Sequence, residues 1–199
     1  DRASDKSGRA VELAIADIHA YLDDLIAGEP NQPLRLLPAH TALAVARGLP
    51  MPNPTDLFYP DPALRPPKRK MPFVPLTGDA LKALLKAERT RYQKGLLIWF
   101  KTPDQLATAL QPMRLALANI EVTQEMPAAR AFWWVAQGFL DTLPTAQPVD
   151  KAALQQIFSR IESQIRHLVN GSRNVAERLM RDVLYAVAQA PVGTSPMVD

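Results

Sequence analysis

The strongest case for chemistry in this 199-residue chain rests on one histidine, His167. The apolar residues before and after it recur at helical spacing; they are Leu154, Ile157, Phe158, Ile161, Ile165 and Leu168. At about 100° per residue, His167 lies about 200° from Ile165, so the pattern predicts that its ring points toward solvent. An exposed imidazole on a helix can exchange protons or act as a nucleophile.

The stretch HLVNGS, which begins at His167, resembles the phosphoacceptor motif H-x-x-K-G-[SA] of histidine phosphotransfer domains. His167, Gly171 and Ser172 match that motif in place. Asn170 stands where the family has a lysine, which removes a positive charge that phosphoryl chemistry uses. The motif also comes late, because only about one helix follows it where the family places two more. We therefore predict that His167 is not a phosphoacceptor, and active phosphotransfer through His167 is the alternative.

The same region is rich in arginine and predicts a docking surface. Its four candidate partner-binding cations are Arg166, Arg173, Arg178 and Arg181. Gly171 interrupts the apolar pattern, so two helices are expected to meet there. Asn174 and Glu177, three residues apart, predict a capping box for the second of these helices.

Two adjacent tryptophans, Trp133 and Trp134, are further candidates for partner contact. Neighbouring residues on a helix cannot both face the same core. An exposed aromatic ring would then mark an interaction surface.

Other kinds of chemistry find no support in the sequence. The chain has no cysteine and three scattered histidines, so we predict neither a metal site nor a nucleophilic triad. The phosphate-binding, dinucleotide-binding, zinc-protease and serine-hydrolase motifs are missing, and no cofactor is predicted. The net charge of +3 does not demand a nucleic-acid partner. No apolar run reaches the ~18 residues of a membrane span, so no membrane insertion is expected.

Helical periodicity extends through every long segment except one, which predicts an all-α multi-helix bundle. The exception, residues 48–77, is so rich in proline that it is predicted to be an ordered extended strap. Its Tyr59, Met71 and Phe73 are expected to be buried. The predicted organisation is N-terminal helices at 1–47, the strap at 48–77, a helical bundle at 78–190 and a tail at 191–199.

The predicted core of the bundle combines apolar residues from several helical segments. Its members are Phe132, Val135, Phe139, Leu140, Ile161, Ile165, Leu179 and Val183. The spacing also places Phe100 on the inner face of the helix predicted over 78–100.

Longer stretches of the chain carry a more specific resemblance. They include IHAYLDDLIAGEPNQPLRLLPAH, ERTRYQKGLLIWF, RAFWWVAQGFLDTL and QIRHLVNGSRNVAERLMRDVLYAVA. Over about Gly8 to Ala190 the chain resembles the N-terminal, FimL-like region of CheA-like hybrid histidine kinases of type IV pilus chemosensory systems (the PilL/ChpA type). It is also similar to their stand-alone relative, the scaffold protein FimL. The fold implied by this resemblance is that of a degenerate histidine phosphotransfer domain.

The resemblance implies a cytoplasmic module of a two-component chemotaxis system that controls twitching motility. Kinase activity would belong to an ATP-binding domain outside this segment, so the segment itself is not expected to be an enzyme. The implied partner is a response-regulator receiver domain or another chemosensory or pilus protein. Two functions stay open: a non-catalytic scaffold that docks such partners, and a working phosphotransfer domain. The oligomeric state stays open as well.

Overall fold

The computed structural model describes residues 2–60, 65–68, 71–144 and 151–195, with side chains from residue 7 onward. These residues form seven α-helices and no β-strand, so the predicted all-α class is confirmed. The helices are α1 (Arg2–Ile26), α2 (Leu37–Ala46), α3 (Gly78–Lys101), α4 (Leu106–Glu121), α5 (Pro127–Thr142), α6 (Lys151–Val169) and α7 (Glu177–Ala188). Parts of the predicted strap (61–64 and 69–70), bundle (145–150) and tail (196–199) lie outside the described residues.

The chain divides into two compact units, Asp1–Pro60 and Asp61–Asp199. The predicted strap therefore contributes residues to both units. In the first unit α1 packs against α2, and Ala14 and Tyr21 of α1 are buried. The Tyr21 hydroxyl donates a hydrogen bond to Asn31 Oδ1 at 2.5 Å, and Arg35 pairs with Asp24 at 2.6 Å. These two contacts fasten the connection between the helices.

Helices α3 to α7 of the second unit enclose one apolar core. All eight residues predicted for that core are buried, none with more than 2% of its surface exposed, so this prediction is confirmed. Phe158 lies among other aromatic rings, in edge contact with Trp99 at 5.1 Å and with Phe139 at 6.0 Å between ring centroids. The prediction for Phe100 is wrong, because its side chain is 48% exposed and Trp99 takes the inner position.

Tyr92 on α3 is a polar residue inside this core. Its hydroxyl donates a hydrogen bond to the Phe158 carbonyl at 3.3 Å. Burial raises the pKa of Tyr92 well above its ordinary value, and the negative charge of Glu162 raises it further. The residue therefore stays neutral and can donate the hydrogen bond that its buried position requires.

The proline-rich segment differs from its prediction at three side chains. Tyr59, Met71 and Phe73, which were expected to be buried, are 63%, 57% and 37% exposed. Within the second unit, backbone groups of this segment form hydrogen bonds to the helical bundle. The Val74 amide donates to the Val122 carbonyl at 2.9 Å.

Arg130 on α5 also holds this segment. Its guanidinium donates to the Pro67 carbonyl and pairs with Glu121 at 2.6 Å. Gln137 also donates to Glu121, at 2.9 Å. Arg130 is only 7% exposed, so its charge is largely removed from water and depends on these partners.

We expect Arg130→Met to loosen the strap. A hydrogen bond from a charged donor is worth about 1.5–3 kcal/mol, so local opening should rise about tenfold or more. Trypsin cleavage after the exposed Lys68, followed under native conditions, measures that opening. Arg91→Met is the matched control, because Arg91 pairs with the buried Glu88 at 2.6 Å on α3. Equal cleavage rates in both variants would contradict a role for Arg130 in holding the strap.

Candidate functional site

His167 lies in the last turn of α6 and is exposed, as its sequence position predicted. The helix ends at Val169, two residues later. Gly171 has φ +91°, a left-handed conformation that favours glycine, and the Ser172 amide donates to the His167 carbonyl at 3.0 Å. The matched glycine of the phosphotransfer-like motif is therefore the residue that terminates the helix.

A cleft of about 410 Å³ opens beside His167, between α6 and the start of α7. Its polar lining consists of Arg160, Ser163, Gln164, His167, Ser172 and Asn174. The sequence analysis missed Arg160 and Ser163 as site residues. They precede His167 by seven and four positions, and this helical spacing places all three on one face of α6.

Two polar contacts fix the shape of this cleft. The buried Gln164 side chain donates to the Asn174 carbonyl at 2.7 Å and so holds the α6–α7 loop. Arg160 forms an ion pair with Asp182 on α7. The other carboxylate oxygen of Asp182 is buried and has no hydrogen-bond partner among the described residues. The guanidinium of Arg160 in this cleft is therefore already paired with Asp182 within the protein.

The predicted capping box at the start of α7 does not form. The N-cap residue is Ala176, which has no side-chain hydrogen bond to the helix. Asn174 lies two residues earlier, where its carbonyl is held by Gln164 and its side chain lines the cleft. Tertiary contacts with α6 therefore decide the path of this loop.

The four predicted partner-binding arginines lie around the α6–α7 junction. Arg166 and Arg173 are exposed, Arg178 is exposed in the first turn of α7, and Arg181 is half-buried. Arg178 and Arg181 already hold interactions within the chain. The described residues that line the cleft include none of these four arginines. The arginine surface and the cleft are therefore neighbouring features with different residues.

The two tryptophans differ in their surroundings. Trp133 is only 2% exposed and makes an edge contact with Phe132 at 5.0 Å between ring centroids. Its prediction as a partner-binding residue is therefore wrong, because the buried ring offers no surface. Trp134 is half-buried at the edge of the core. It is the tryptophan that stays a candidate for partner contact.

The chemistry open to this arrangement is limited. An exposed imidazole beside serine hydroxyls could accept a phosphoryl group, but Asn170 replaces the lysine and Arg160 is paired with Asp182. No group of three or more metal-ligating side chains occurs within the described ranges. None of the helices in the part of the chain that the structure describes combines the length and apolar character needed to cross a bilayer.

These features define an all-α protein whose candidate site is a cationic helical surface beside an exposed histidine. Residues 77–199, more than half of the chain, match the family described as the FimL scaffold protein second domain. The chain belongs to that family. It is also 26% identical, over 191 residues, to the Scaffold protein FimL of Pseudomonas aeruginosa. That match covers 94% of this chain and 34% of the relative, so the chain spans about a third of the relative's length. No solved structure matches the chain.

Proposed function

We propose that this chain is a non-catalytic scaffold module of a type IV pilus chemosensory system in the cytoplasm. It docks a response-regulator receiver domain through the surface made by Arg166, Arg173, Arg178, Arg181 and Trp134. Any kinase chemistry belongs to a CheA-like partner or parent chain. The similarity to FimL supports the scaffold role, because that relative is described as a scaffold protein.

The observation that carries this proposal is the exposed pair Arg166 and Arg173 beside a histidine whose helix ends within one turn. Receiver domains present an acidic phosphorylation pocket, which a cationic helical surface attracts by charge complementarity. Exposed rim charges act mainly on association rate and salt dependence. Docking of this kind requires no transfer of a phosphoryl group.

The alternative is a working phosphotransfer domain with His167 as the phosphoacceptor. Its support is the exposure of His167 next to a polar cleft lined by Ser172. It requires a phosphoryl group to be neutralised without the lysine that the motif has at position 170. For that reason we favour docking without chemistry.

We expect the double variant Arg166→Gln/Arg173→Gln to bind receiver domains of the same system on the order of tenfold more weakly at low salt. The loss should shrink as salt is raised, because exposed charges are screened. His167→Gln should bind as wild type does. Calorimetry or surface-based binding assays measure the receiver-domain affinity of the wild-type protein, the double variant and His167→Gln.

Lys94→Gln/Lys101→Gln is the control for the charge change. Both lysines are exposed in the C-terminal half of α3. The contacts of Arg89 with Glu162 and of Tyr92 with Phe158 show that α3 runs antiparallel to α6, so this half lies away from the α6–α7 junction. The control therefore removes the same number of positive charges at a distance from the tested surface. An equal loss of binding in this control would contradict a local docking surface. A second experiment incubates the wild-type protein and His167→Gln with a cognate kinase. Acid-labile phosphate on the wild-type protein but not on His167→Gln would establish phosphotransfer instead.

A further inference from the structure

Gln164 is a polar residue on the inner face of α6. Its neighbours on that face, Ile161 and Ile165, are apolar and fully buried, and Gln164 itself is only 4% exposed. A buried amide group costs free energy unless it is hydrogen-bonded. The side chain meets this requirement through Nε2, which donates to the Asn174 carbonyl at 2.7 Å. The bond crosses from α6 to the loop that precedes α7.

This bond and a second one enclose Arg173 between them. On the N-terminal side of Arg173, the Ser172 amide donates to the His167 carbonyl at 3.0 Å. On its C-terminal side, the Asn174 carbonyl accepts from Gln164. Both His167 and Gln164 belong to α6. The backbone of Arg173 is therefore tied to α6 on both sides.

The start of α7 does not by itself fix this loop. The N-cap residue Ala176 makes no side-chain hydrogen bond to the helix. Val175 is half-buried and packs against the core. The order of residues 173–175 then depends on the bond from Gln164 and on the packing of Val175.

Stability alone does not require an amide at position 164. Asn174, which receives the bond, is an exposed residue, so water can reach its carbonyl once the loop moves. Methionine has about the same length and would place a flexible apolar side chain in the same space. The main effect of the Gln164 bond is therefore local order in the loop, which holds Arg173 in one position.

We propose that Gln164 is a positioning residue for the docking surface and makes no contact with the partner itself. It fixes Arg173 relative to Arg166, which lies two residues after Gln164 on α6. Two cations already held in place bind an acidic surface more tightly than mobile ones, because less loop entropy is lost on binding. This role rests on the proposed docking function, whereas the order of the loop does not.

Trypsin cleavage after Arg173 tests the order of the loop without any partner. Gln164→Met should raise the rate of this cleavage under native conditions about five- to tenfold, the effect expected for the loss of one hydrogen bond. Gln164→Ala removes the same bond with a smaller side chain and should raise the rate as well. Mass spectrometry identifies the fragment that ends at Arg173, and denaturant unfolding shows that each variant is folded.

Gln124→Met is the matched control for the cleavage experiment. Gln124 is a glutamine of similar burial, at 6% exposed, and its side chain donates to Ile120 and Thr123 at the end of α4. This variant should be cleaved after Arg173 at the wild-type rate. A wild-type rate in Gln164→Met and Gln164→Ala, or an equal increase in Gln124→Met, would overturn the positioning role.

Binding to a receiver domain tests whether Gln164 acts through Arg173. Arg166→Gln and Arg173→Gln should each weaken binding about threefold at low salt, which together gives the tenfold loss of the double variant. In a Gln164→Met background Arg173→Gln should have little effect. Arg166→Gln should keep its threefold effect there, because Arg166 lies within α6. General destabilisation would not separate the two arginines in this way.

The binding results distinguish a failure of this role from a failure of the docking function. If the two arginine changes leave binding unaffected in wild type, the docking function is overturned and the positioning role with it, even where faster cleavage shows that Gln164 orders the loop. If they weaken binding and Arg173→Gln has the same effect in the Gln164→Met background, the docking surface stands and the positioning role is overturned.

Discussion

Phe139→Ala is expected to lower the free energy of unfolding of the second unit by about 3–5 kcal/mol. Phe139 is 2% exposed on α5, and its ring meets Phe158 on α6. Removing the ring leaves a cavity that the surrounding helices can close only in part. All three tryptophans, at positions 99, 133 and 134, lie in this unit, so denaturant unfolding followed by tryptophan fluorescence reports on it directly.

Phe100→Ala is the matched control for this experiment. Phe100 is 48% exposed at the end of α3, so the same change there should cost less than about 1 kcal/mol. A cost below that value for Phe139→Ala would contradict its burial. A large cost for Phe100→Ala would show that this ring is covered in solution.

The core of the second unit could be predicted from the sequence because its helices are amphipathic. Ile161 and Ile165 on α6, and Leu179 and Val183 on α7, each recur at a helical interval that fixes one inward face. The prediction for Phe100 failed because Phe100 directly follows Trp99 in the sequence, and the helical spacing alone allowed either ring to face inward. The packing of Trp99 against Phe158 decides between them.

The candidate site was predicted less completely than the core. The exposure of His167 followed from helical geometry alone, whereas the role of Arg160 depends on a partner, Asp182, that is distant in sequence. The failed capping box has the same origin, since Gln164 reaches across from α6 to hold Asn174. Contacts between helices of this kind leave no periodic pattern in the sequence.

Gly95 is a further residue whose importance only the packing reveals. It is buried in α3 where α4 crosses closely. A Cβ atom at this position would lie 2.4 Å from Met113 Cγ and 2.6 Å from the Ala109 carbonyl oxygen. The Met113 side chain can move, but the Ala109 oxygen belongs to the helix backbone. Any larger residue at position 95 must therefore push the two helices apart.

We expect Gly95→Ala to destabilise the second unit by about 1–3 kcal/mol, and Gly95→Leu by more. This sign opposes helix propensity, by which alanine gains up to about 1 kcal/mol over glycine. Gly8→Ala is the matched control, because Gly8 lies within α1 and an added Cβ would meet no atom within 4 Å. That variant, followed by circular dichroism, should be neutral or slightly stabilised.

A double-mutant cycle separates the two contacts at Gly95. In a Met113→Ala background the conflict with the Met113 side chain disappears, while the conflict with the Ala109 carbonyl stays. Gly95→Ala should therefore lower the free energy of unfolding by less in that background than in wild type, but it should not become stabilising. The same cost in both backgrounds would mean that Met113 is not the neighbour that Gly95 accommodates. A stabilising effect in the Met113→Ala background would mean that the Ala109 carbonyl oxygen lies farther than 2.6 Å from a Cβ atom at position 95. If Gly95→Ala stays unfavourable in both backgrounds, the close approach of these helices is the reason for glycine at position 95, and conformational freedom is not.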